Sequence, residues 1–395
     1  MEKVRLGDIA TLINGDRGKN YPSQADISDE GDIPFVNAGH LNGRNIDFEE
    51  MNYISQDKYK RLSSGKFVKG DVLYCLRGSL GKKAIVNDDV EGAIASSLVI
   101  IRPNYDRIDG EYLMFSLDSP SIKEQLNKAN NGSSQPNLSA ASVREYQIEL
   151  PDLKKQKDIV KKLVKTRSII DSRQHEIDLL DELIKARFVE LFGDLMENPL
   201  GWTVMTIADV STFLKSGLSR KLSDDDIGLP VIRSGNIQDG QFIFDDVKYW
   251  YIDDPQGANT KDYILNDGDI LVNFINSSSQ IGKTAIYRDT GRDCIYTTNI
   301  FRMKLADNCN EYYYNWFAMS DYYYRHLQNI IQPAVNQASF TTVNFLKLPI
   351  PLPPKEKQGK FADFVKQVDK SKFVVQKSLD EAKLVFDSLM QEFFG

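Results

Sequence analysis

The feature that most constrains the fold is an internal repeat at an offset of 202 residues. Glu190-Leu191-Phe192-Gly193 closes the first half, and Glu392-Phe393-Phe394-Gly395 closes the second. Leu150-Pro151 matches Leu352-Pro353 at the same offset, and Lys155-Gln156 matches Lys357-Gln358. Solenoid repeats are only about 20–50 residues long. The sequence therefore predicts two similar units in tandem.

Further motifs recur upstream with small shifts in the offset. The matching pairs are Asp8-Ile9 with Asp209-Val210, Gly70-Asp71-Val72-Leu73 with Gly268-Asp269-Ile270-Leu271, Gly81-Lys82-Lys83-Ala84 with Gly282-Lys283-Thr284-Ala285, and Glu111-Tyr112 with Glu311-Tyr312. Short apolar runs, such as Leu98–Arg102, predict strands over most of residues 1–150 and 194–350. The spacing of apolar residues predicts a helix over 111–127.

Each unit ends in a segment with a heptad pattern, over residues 151–193 and 351–395. Apolar residues recur at intervals of three and four, which places one stripe against a partner helix. The predicted seam residues are Leu163, Ile170, Ile177, Leu180, Ile184, Leu191, Phe361, Val365, Val368, Val375, Leu379, Phe386, Leu389 and Phe393. The stripe favours pairing of the two helices with each other over packing on their own globular domains, and it leaves parallel and antiparallel pairing open.

The predicted fold class is therefore α+β, with two globular α/β heads at residues 1–150 and 194–350, each followed by a helical arm. The chain is 27% charged with a net charge of −7. Both heads are acidic and both arms are slightly basic. The field of DNA phosphates reaches only about 8–10 Å at physiological salt. An acidic chain can thus bind DNA if its cations are gathered on one face or supplied by a partner.

Catalytic and metal sites are not indicated. The three cysteines have no metal-ligand spacing, and the three histidines are scattered, so we expect no metal site and no nucleophilic triad. Residues 277–284 resemble a P-loop, but Ser277 replaces its first glycine, and the first copy has Lys83 where Mg²⁺ needs Ser or Thr. We expect a turn into a strand there. No apolar run approaches the ~20 residues of a membrane span, and a cytoplasmic protein is expected.

Loops rich in Gly, Asn and Ser carry the candidate DNA contacts. Arg and Lys suit guanine and phosphate, whereas Asn and Gln suit adenine. Loops rich in Gly, Asn and Ser can also be ordinary turns, so that alternative stays open for each candidate. The candidates in the first unit are Arg17, Lys19, Asn20, Tyr21, Asn37, His40, Asn42, Arg44, Arg77, Ser79, Lys82, Lys83, Ser134, Gln135 and Asn137. Those in the second are Lys215, Arg220, Lys221, Arg233, Asn236, Gln238, Asn273, Asn276, Ser278, Lys283, Asn336 and Gln337.

In the duplicated order of its motifs, the chain resembles the DNA-specificity (S) subunits of type I restriction–modification systems. The resemblance covers the whole chain. It implies two target-recognition domains, each reading one part of a split target in double-stranded DNA. It also implies an antiparallel coiled coil that fixes the spacer and docks two methyltransferase (modification) subunits. Catalysis would then lie on partners, with S-adenosylmethionine on the modification subunits and ATP and Mg²⁺ on restriction (translocase) subunits.

Three alternatives stay open at this point. The chain could be the S subunit of a methylation-only system. It could be a nucleotide-dependent enzyme that binds phosphate at Gly282-Lys283-Thr284, or a coiled-coil scaffold that binds no DNA. The loops differ between the two copies while the strand framework matches, which favours two heads of different specificity on one scaffold.

Overall fold

A computed structural model of the chain describes residues 2–130, 136–333 and 337–395. It contains two compact units. The first comprises the residues up to Gln174 together with Lys377–Gly395, and the second is His175–Gln376. The units divide within the long helices, whereas the sequence prediction drew its domain boundaries at the helix starts. Within the described ranges, no helix is long and apolar enough to cross a membrane.

The first repeat folds into short strands and helices that lead into one long helix. Its strands are β1 (Glu2–Arg5), β2 (Ala10–Asn14), β3 (Ile33–Val36), β4 (Tyr53–Ile54), β5 (Lys66–Phe67), β6 (Val72–Cys75), β7 (Lys83–Ile85), β8 (Gly92–Ile94), β9 (Leu98–Pro103) and β10 (Gln147–Leu150). Its helices are α1 (Leu6–Ile9), α2 (Gln56–Arg61), α3 (Gly110–Asp118), α4 (Pro120–Ala129), α5 (Ala140–Arg144) and α6 (Leu153–Phe192).

An antiparallel sheet in the order β2-β9-β6-β7 forms the centre of the first unit. A second sheet, β4-β3-β8-β5, contains the parallel pair β3–β8, and β1 pairs with β10 just before α6. The largest apolar cluster joins this framework to helix residues such as Leu163 and Phe393. The head is thus packed on segments of α6 and of a second long helix, α10 (Lys355–Phe394).

The prediction of a single helix over residues 111–127 is wrong. The structure has α3 and α4 instead, separated at Ser119. Pro120 occupies the first turn of α4, and the Ser119 hydroxyl accepts a hydrogen bond from the Ile122 backbone N–H at 3.2 Å. Proline lacks the N–H that a continuous helix needs and fits only a first turn.

The second repeat has a similar element order with additional short strands. Its strands are β11 (Thr203–Thr206), β12 (Ser211–Ser216), β13 (Leu229–Ile232), β14 (Ile237–Gln238), β15 (Gln241–Phe242), β16 (Lys248–Trp250), β17 (Ile270–Asn273), β18 (Ile275–Asn276), β19 (Thr284–Ile286), β20 (Ile295–Tyr296), β21 (Ile300–Leu305), β22 (Gln332–Pro333), β23 (Ala338–Ser339) and β24 (Pro349–Leu352). Its helices are α7 (Glu311–Phe317), α8 (Asp321–Gln328), α9 (Thr342–Leu346) and α10 (Lys355–Phe394).

The central sheet of the second unit has the same strand order as that of the first. The order β12-β21-β17-β19 corresponds to β2-β9-β6-β7, and β11–β24 corresponds to β1–β10. One predicted match is displaced by a residue. The Tyr112 hydroxyl donates to the carbonyl of Glu149, and the Tyr313 hydroxyl donates to that of Pro351, so Tyr112 corresponds to Tyr313 rather than Tyr312.

The long helices pair antiparallel within each unit, as the resemblance implied. In the first unit, Lys162 lies over the ring of Phe393 and Arg167 over that of Phe386, at 5.5 and 5.0 Å from the ring centres. The order along α10 is thus opposite to that along α6. In the second unit, Asp181 pairs with Lys372 at 2.5 Å, and the rings of Phe188 and Phe361 are 5.3 Å apart. All predicted seam residues are buried or half-buried.

The repeated Gly-Asp-Val/Ile-Leu motif places a buried aspartate in an ion pair with an arginine of the central sheet in each unit. Asp71 accepts from Arg102 of β9 at 2.8 and 2.7 Å, and Asp269 accepts from Arg302 of β21 at 2.7 Å. Each aspartate also accepts a backbone N–H three residues before it, from Val68 and Asn266. The motif is therefore a structural element that ties a turn to the central sheet.

Candidate nucleic-acid interface

Two contacts bring candidate loops together in the first unit. The loop after β6 meets the segment before α5 through a β-bridge between Arg77 and Asn137, both exposed. Lys82 reaches across to the preceding loop and donates to the carbonyl of Ala38 at 3.0 Å. Ser79 is also exposed, and Asn42 is exposed in the loop that follows His40. These contacts gather cations and amides from three separate sequence segments.

The loop after β2 presents a second set of candidates. Arg17 and Lys19 are exposed, and Arg17 reaches the carbonyl of Ser96 at 3.4 Å. Asn20 donates to the carbonyl of Arg61 at 2.9 Å, and the ring of Tyr21 packs edge-on against Phe35. Arg17 and Lys19 therefore have side chains available to a ligand, whereas Asn20 and Tyr21 hold the loop in place.

Other candidates of the first unit have interior roles. His40 is 8% exposed, and its Nδ1 accepts from the Asn37 backbone N–H at 3.2 Å. Burial lowers the pKa of His40, which favours the neutral ring that this hydrogen bond requires. Lys83 is 3% exposed and pairs with Asp118 of α3. Burial also lowers the pKa of Lys83. A role in DNA contact stays a prediction for these residues, as it does for Asn37.

Arg44 is held between a carboxylate and an aromatic ring. Its guanidinium pairs with Glu111 and lies 4.9 Å from the ring centre of Phe115. Burial lowers its pKa. This arrangement orients the loop at residues 42–45 on α3, and 26% of the Arg44 side chain remains exposed.

In the second unit, a small sheet gathers the corresponding loops. Strand β18 pairs with β23 so that Asn276 lies opposite Ala338, beside Gln337. Ser278, Gln337, Gln238 and Lys221 are exposed. The pair formed by Ile275 and Ser339 occupies the place of Arg77 and Asn137. Both repeats thus join the same two segments while presenting different side chains.

Cations of the second head are paired with aspartates. Arg233 pairs with Asp246 at 2.7 Å and Lys283 with Asp239 at 2.9 Å, and both aspartate side chains are 85% exposed. Exposed pairs of this kind contribute only about 0–1 kcal/mol, so a phosphate can displace the carboxylate at little cost. The Arg233 and Lys283 side chains are 31% and 19% exposed, and their contact with DNA stays a prediction.

Four candidates support the second head internally. Arg220 pairs with the fully buried side chain of Asp254 at 2.5 Å. Lys215 lies 3.9 Å from the ring centre of Tyr263. Asn236 is 3% exposed and donates to two backbone carbonyls, and Asn273 is fully buried. Their contact with DNA stays a prediction. The predicted contacts Ser134, Gln135 and Asn336 lie outside the described residues.

The P-loop-like segment has a different geometry from a phosphate-binding loop. Residues 277–283 form a turn that enters strand β19, as predicted, whereas a P-loop leads into a helix whose N-terminus faces the phosphate. The Thr284 hydroxyl is buried against the side-chain oxygen of Asn315 at 3.1 Å. Lys283 pairs with Asp239. This segment therefore lacks the helix that phosphate binding uses.

The sequence analysis assigned no role to two sets of residues. Gln156 and Gln358 are fully buried where the long helices begin. Arg102 and Arg302, which neutralise the Gly-Asp motif, went unnoticed. The sequence does indicate these two arginines, because an arginine follows each motif aspartate at almost the same distance, 31 and 33 residues further along the chain.

Comparison with known proteins matches this duplicated architecture. Residues 1–182 and 199–382 each match the family described as the Type I restriction modification DNA specificity domain. The chain belongs to this family. Its two copies of the specificity domain correspond to the two repeats found in the sequence, each including a head and part of the following helix.

Several relatives of this specificity-domain chain are specificity subunits. The type I restriction enzyme EcoKI specificity subunit of Escherichia coli is 20% identical, over 98% of this chain and 86% of the relative. The MjaVIII specificity subunit of Methanocaldococcus jannaschii is 23% identical, over 93% and 86%. The MjaX specificity subunit of the same organism is 29% identical, but this match spans 51% of the chain and about half, 47%, of the relative.

Solved structures share the fold of this specificity-domain chain. The S subunit of a type I restriction–modification system from M. genitalium has a TM-score of 0.59 at 14% identity, covering 100% of this chain and 96% of that one. A chain from a study of complex assembly and conformational transition of the type I R-M system has a TM-score of 0.55 at 18% identity, covering 100% and 97%.

Proposed function

We propose that this chain is the sequence-specific DNA-recognition subunit of a type I restriction–modification complex, with each head reading one half of a bipartite site. The observation that carries this proposal is the pair of heads with one strand framework and different loops. In each head the loop after β6 or β17 joins the segment before α5 or α9. The side chains presented there differ between the heads, so two different half-sites are expected.

The paired helices set the spacer in this proposal. Each helix has 40 residues, about 60 Å at 1.5 Å per residue. Antiparallel pairing gives each head the same relation to its own helices, which suits a bipartite target. The heads bind DNA weakly alone in this proposal, because each has a net negative charge that opposes the approach of phosphates. Partner subunits then supply the further phosphate contacts.

Exposed apolar residues on the helices favour docking of two modification subunits. In the second unit, Phe373 and Val374 are 73% and 66% exposed. In the first unit, Leu384 and Val385 are 70% and 52% exposed. Large apolar residues left exposed in this way are typical of protein interfaces. One such patch in each unit suits two copies of the same partner.

Catalysis belongs to the partners in this proposal. The modification subunits hold S-adenosylmethionine, and restriction subunits hold ATP and Mg²⁺. Among the residues that the structure describes, no group of three or more His, Cys, Asp or Glu side chains could hold a metal ion. The complex works in the cytoplasm, where its DNA substrate is found.

The proposal is tested by sequencing the methylated bases of cells that express this chain with its modification subunit. The expected result is a new methylated motif of two short half-sites around a fixed gap, absent from cells that lack the chain. Methylation without restriction of incoming DNA identifies a methylation-only system. A stable complex that adds no methylation contradicts DNA recognition and favours a scaffold.

Docking is tested with Phe373→Ala. Truncating a central apolar contact weakens a protein interface by about 1–2 kcal/mol, so the dissociation constant for the modification subunit rises about tenfold. Val343→Ala is the matched control, because Val343 is 62% exposed in the same unit but belongs to α9 and not to a long helix. Equal affinities of the two variants, measured by calorimetry, would place the docking surface elsewhere.

A further inference from the structure

Two buried glutamines occupy equivalent places where the long helices begin. Gln156 is the fourth residue of α6 and Gln358 the fourth of α10, and both are fully buried. Each side chain folds back on a proline that lies two residues before its helix. Nε2 of Gln156 donates to the carbonyl of Pro151 at 2.8 Å, and Nε2 of Gln358 donates to that of Pro353 at 2.7 Å.

The same amides also hold the head. Oε1 of Gln156 accepts from the Asp109 backbone N–H at 2.8 Å, and Nε2 donates to the carbonyl of Arg107 at 2.9 Å. Asp109 caps α3. Each Gln156 hydrogen bond therefore ends on a different backbone group, two of them in the head and one at the entry to α6.

The second unit repeats this arrangement. Oε1 of Gln358 accepts from the Asn310 backbone N–H at 2.8 Å, and Nε2 donates to the carbonyl of Asn308 at 3.0 Å. Asn310 caps α7. The Tyr313 hydroxyl of α7 adds a hydrogen bond to the carbonyl of Pro351, in the strand that precedes α10. These hydrogen bonds brace the joint between each head and the start of its long helix from two sides. Both repeats keep this joint, although their loops differ.

We infer that Gln156 and Gln358 are positioning residues that fix the angle of each head on its helix and thereby restrict the spacer that the chain accepts. This inference rests on the proposed function. A buried amide with both donors and its acceptor engaged prefers one direction, because any rotation leaves polar groups unpaired. Apolar packing alone would permit sliding.

The size of the required motion shows why the joint matters. One extra base pair moves a half-site by ~3.4 Å and turns it by roughly a tenth of a turn. DNA is stiff over about 150 base pairs, so a short site does not absorb this change. A head of this size has a radius of about 20 Å, so a tilt of roughly 10° about the joint moves the centre of the head by that distance. A joint that resists such tilt and twist enforces one spacer.

The test uses the full chain in complex with its modification subunits. Methyl transfer is measured on three duplexes that carry the native spacer, one base pair fewer and one more. Gln358→Met keeps the shape of the side chain and removes its hydrogen bonds. The rate on the altered spacers relative to the native one is expected to rise about tenfold, which corresponds to a loss of about 1.4 kcal/mol of directional restraint. Gln367→Met, at an exposed position of α10, is the matched control.

The possible outcomes separate this inference from the proposed function. A folded Gln358→Met complex whose three rates keep the native ratio overturns the inference, and so does an equal relaxation by Gln367→Met. Leu271→Ala, in the head core away from the joint, shows whether lower stability alone relaxes the spacer. Tyr313→Phe removes one hydroxyl from the joint and replaces Gln358→Met if that variant does not fold. No methylation by the unaltered complex overturns the proposed function instead.

Discussion

Asp269→Ala is expected to lower the free energy of unfolding of the second unit by about 3–5 kcal/mol, because it leaves the Arg302 guanidinium buried without its counter-ion. The two side chains are only 4% and 6% exposed. The Asn266 backbone N–H also loses its acceptor. Urea unfolding followed by tryptophan fluorescence measures the effect directly, since Trp202, Trp250 and Trp316 all lie in this unit.

Two further variants show whether burial is the cause. Asp226→Ala removes the partner of Arg292 in the same unit, where the side chains are 50% and 45% exposed, and a loss of at most about 1 kcal/mol is expected. In the first unit, Asp71 is buried but its partner Arg102 is 40% exposed. Arg102 can turn to water, so Asp71→Ala should cost less, about 1–3 kcal/mol. Equal losses for Asp269→Ala and Asp226→Ala would contradict the argument from burial.

The repeats and the heptad seams could be predicted from the sequence, because the pattern of residues that become buried is visible within short segments of the chain. A seam residue such as Leu163 or Leu379 is apolar at a fixed interval, and the fold buries it for that reason. Strand β9 was also predicted from its apolar run. The break at Ser119-Pro120 was missed because apolar spacing continues across it, although the Ser-Pro pair itself signals a helix start.

Roles that depend on a distant partner could not be predicted. Lys83 was a candidate DNA contact because it is a cation in a glycine-rich loop, but Asp118 from α3 meets it in the interior. Asn236 likewise satisfies backbone carbonyls that only the folded loop brings near. Composition suggests which side chains can bind DNA, whereas the fold decides which of them are used to hold a loop.

Phe361 and Phe373 lie on the same helix. Truncation of Phe361 is expected to destabilise the fold, whereas truncation of Phe373 is expected to weaken binding of the modification subunit. Phe361 is fully buried, and its ring centre is 5.3 Å from that of Phe188 and 5.5 Å from that of Phe192. Phe361→Ala leaves a cavity where α6, α10 and the head meet, so a loss of about 3–5 kcal/mol is expected in the tryptophan-detected unfolding of the second unit. Phe361→Leu, which keeps most of the volume, should recover more than half of it.

Phe373→Ala provides the control for this cavity. Because the Phe373 side chain is 73% exposed, its removal is expected to change the free energy of unfolding by no more than about 0.5 kcal/mol. The effect on binding is expected to be large instead, because Phe373→Ala weakens binding of the modification subunit while leaving the fold intact. A large loss of stability for Phe373→Ala would mean that this face already packs within the chain, and the proposed docking surface would then be wrong.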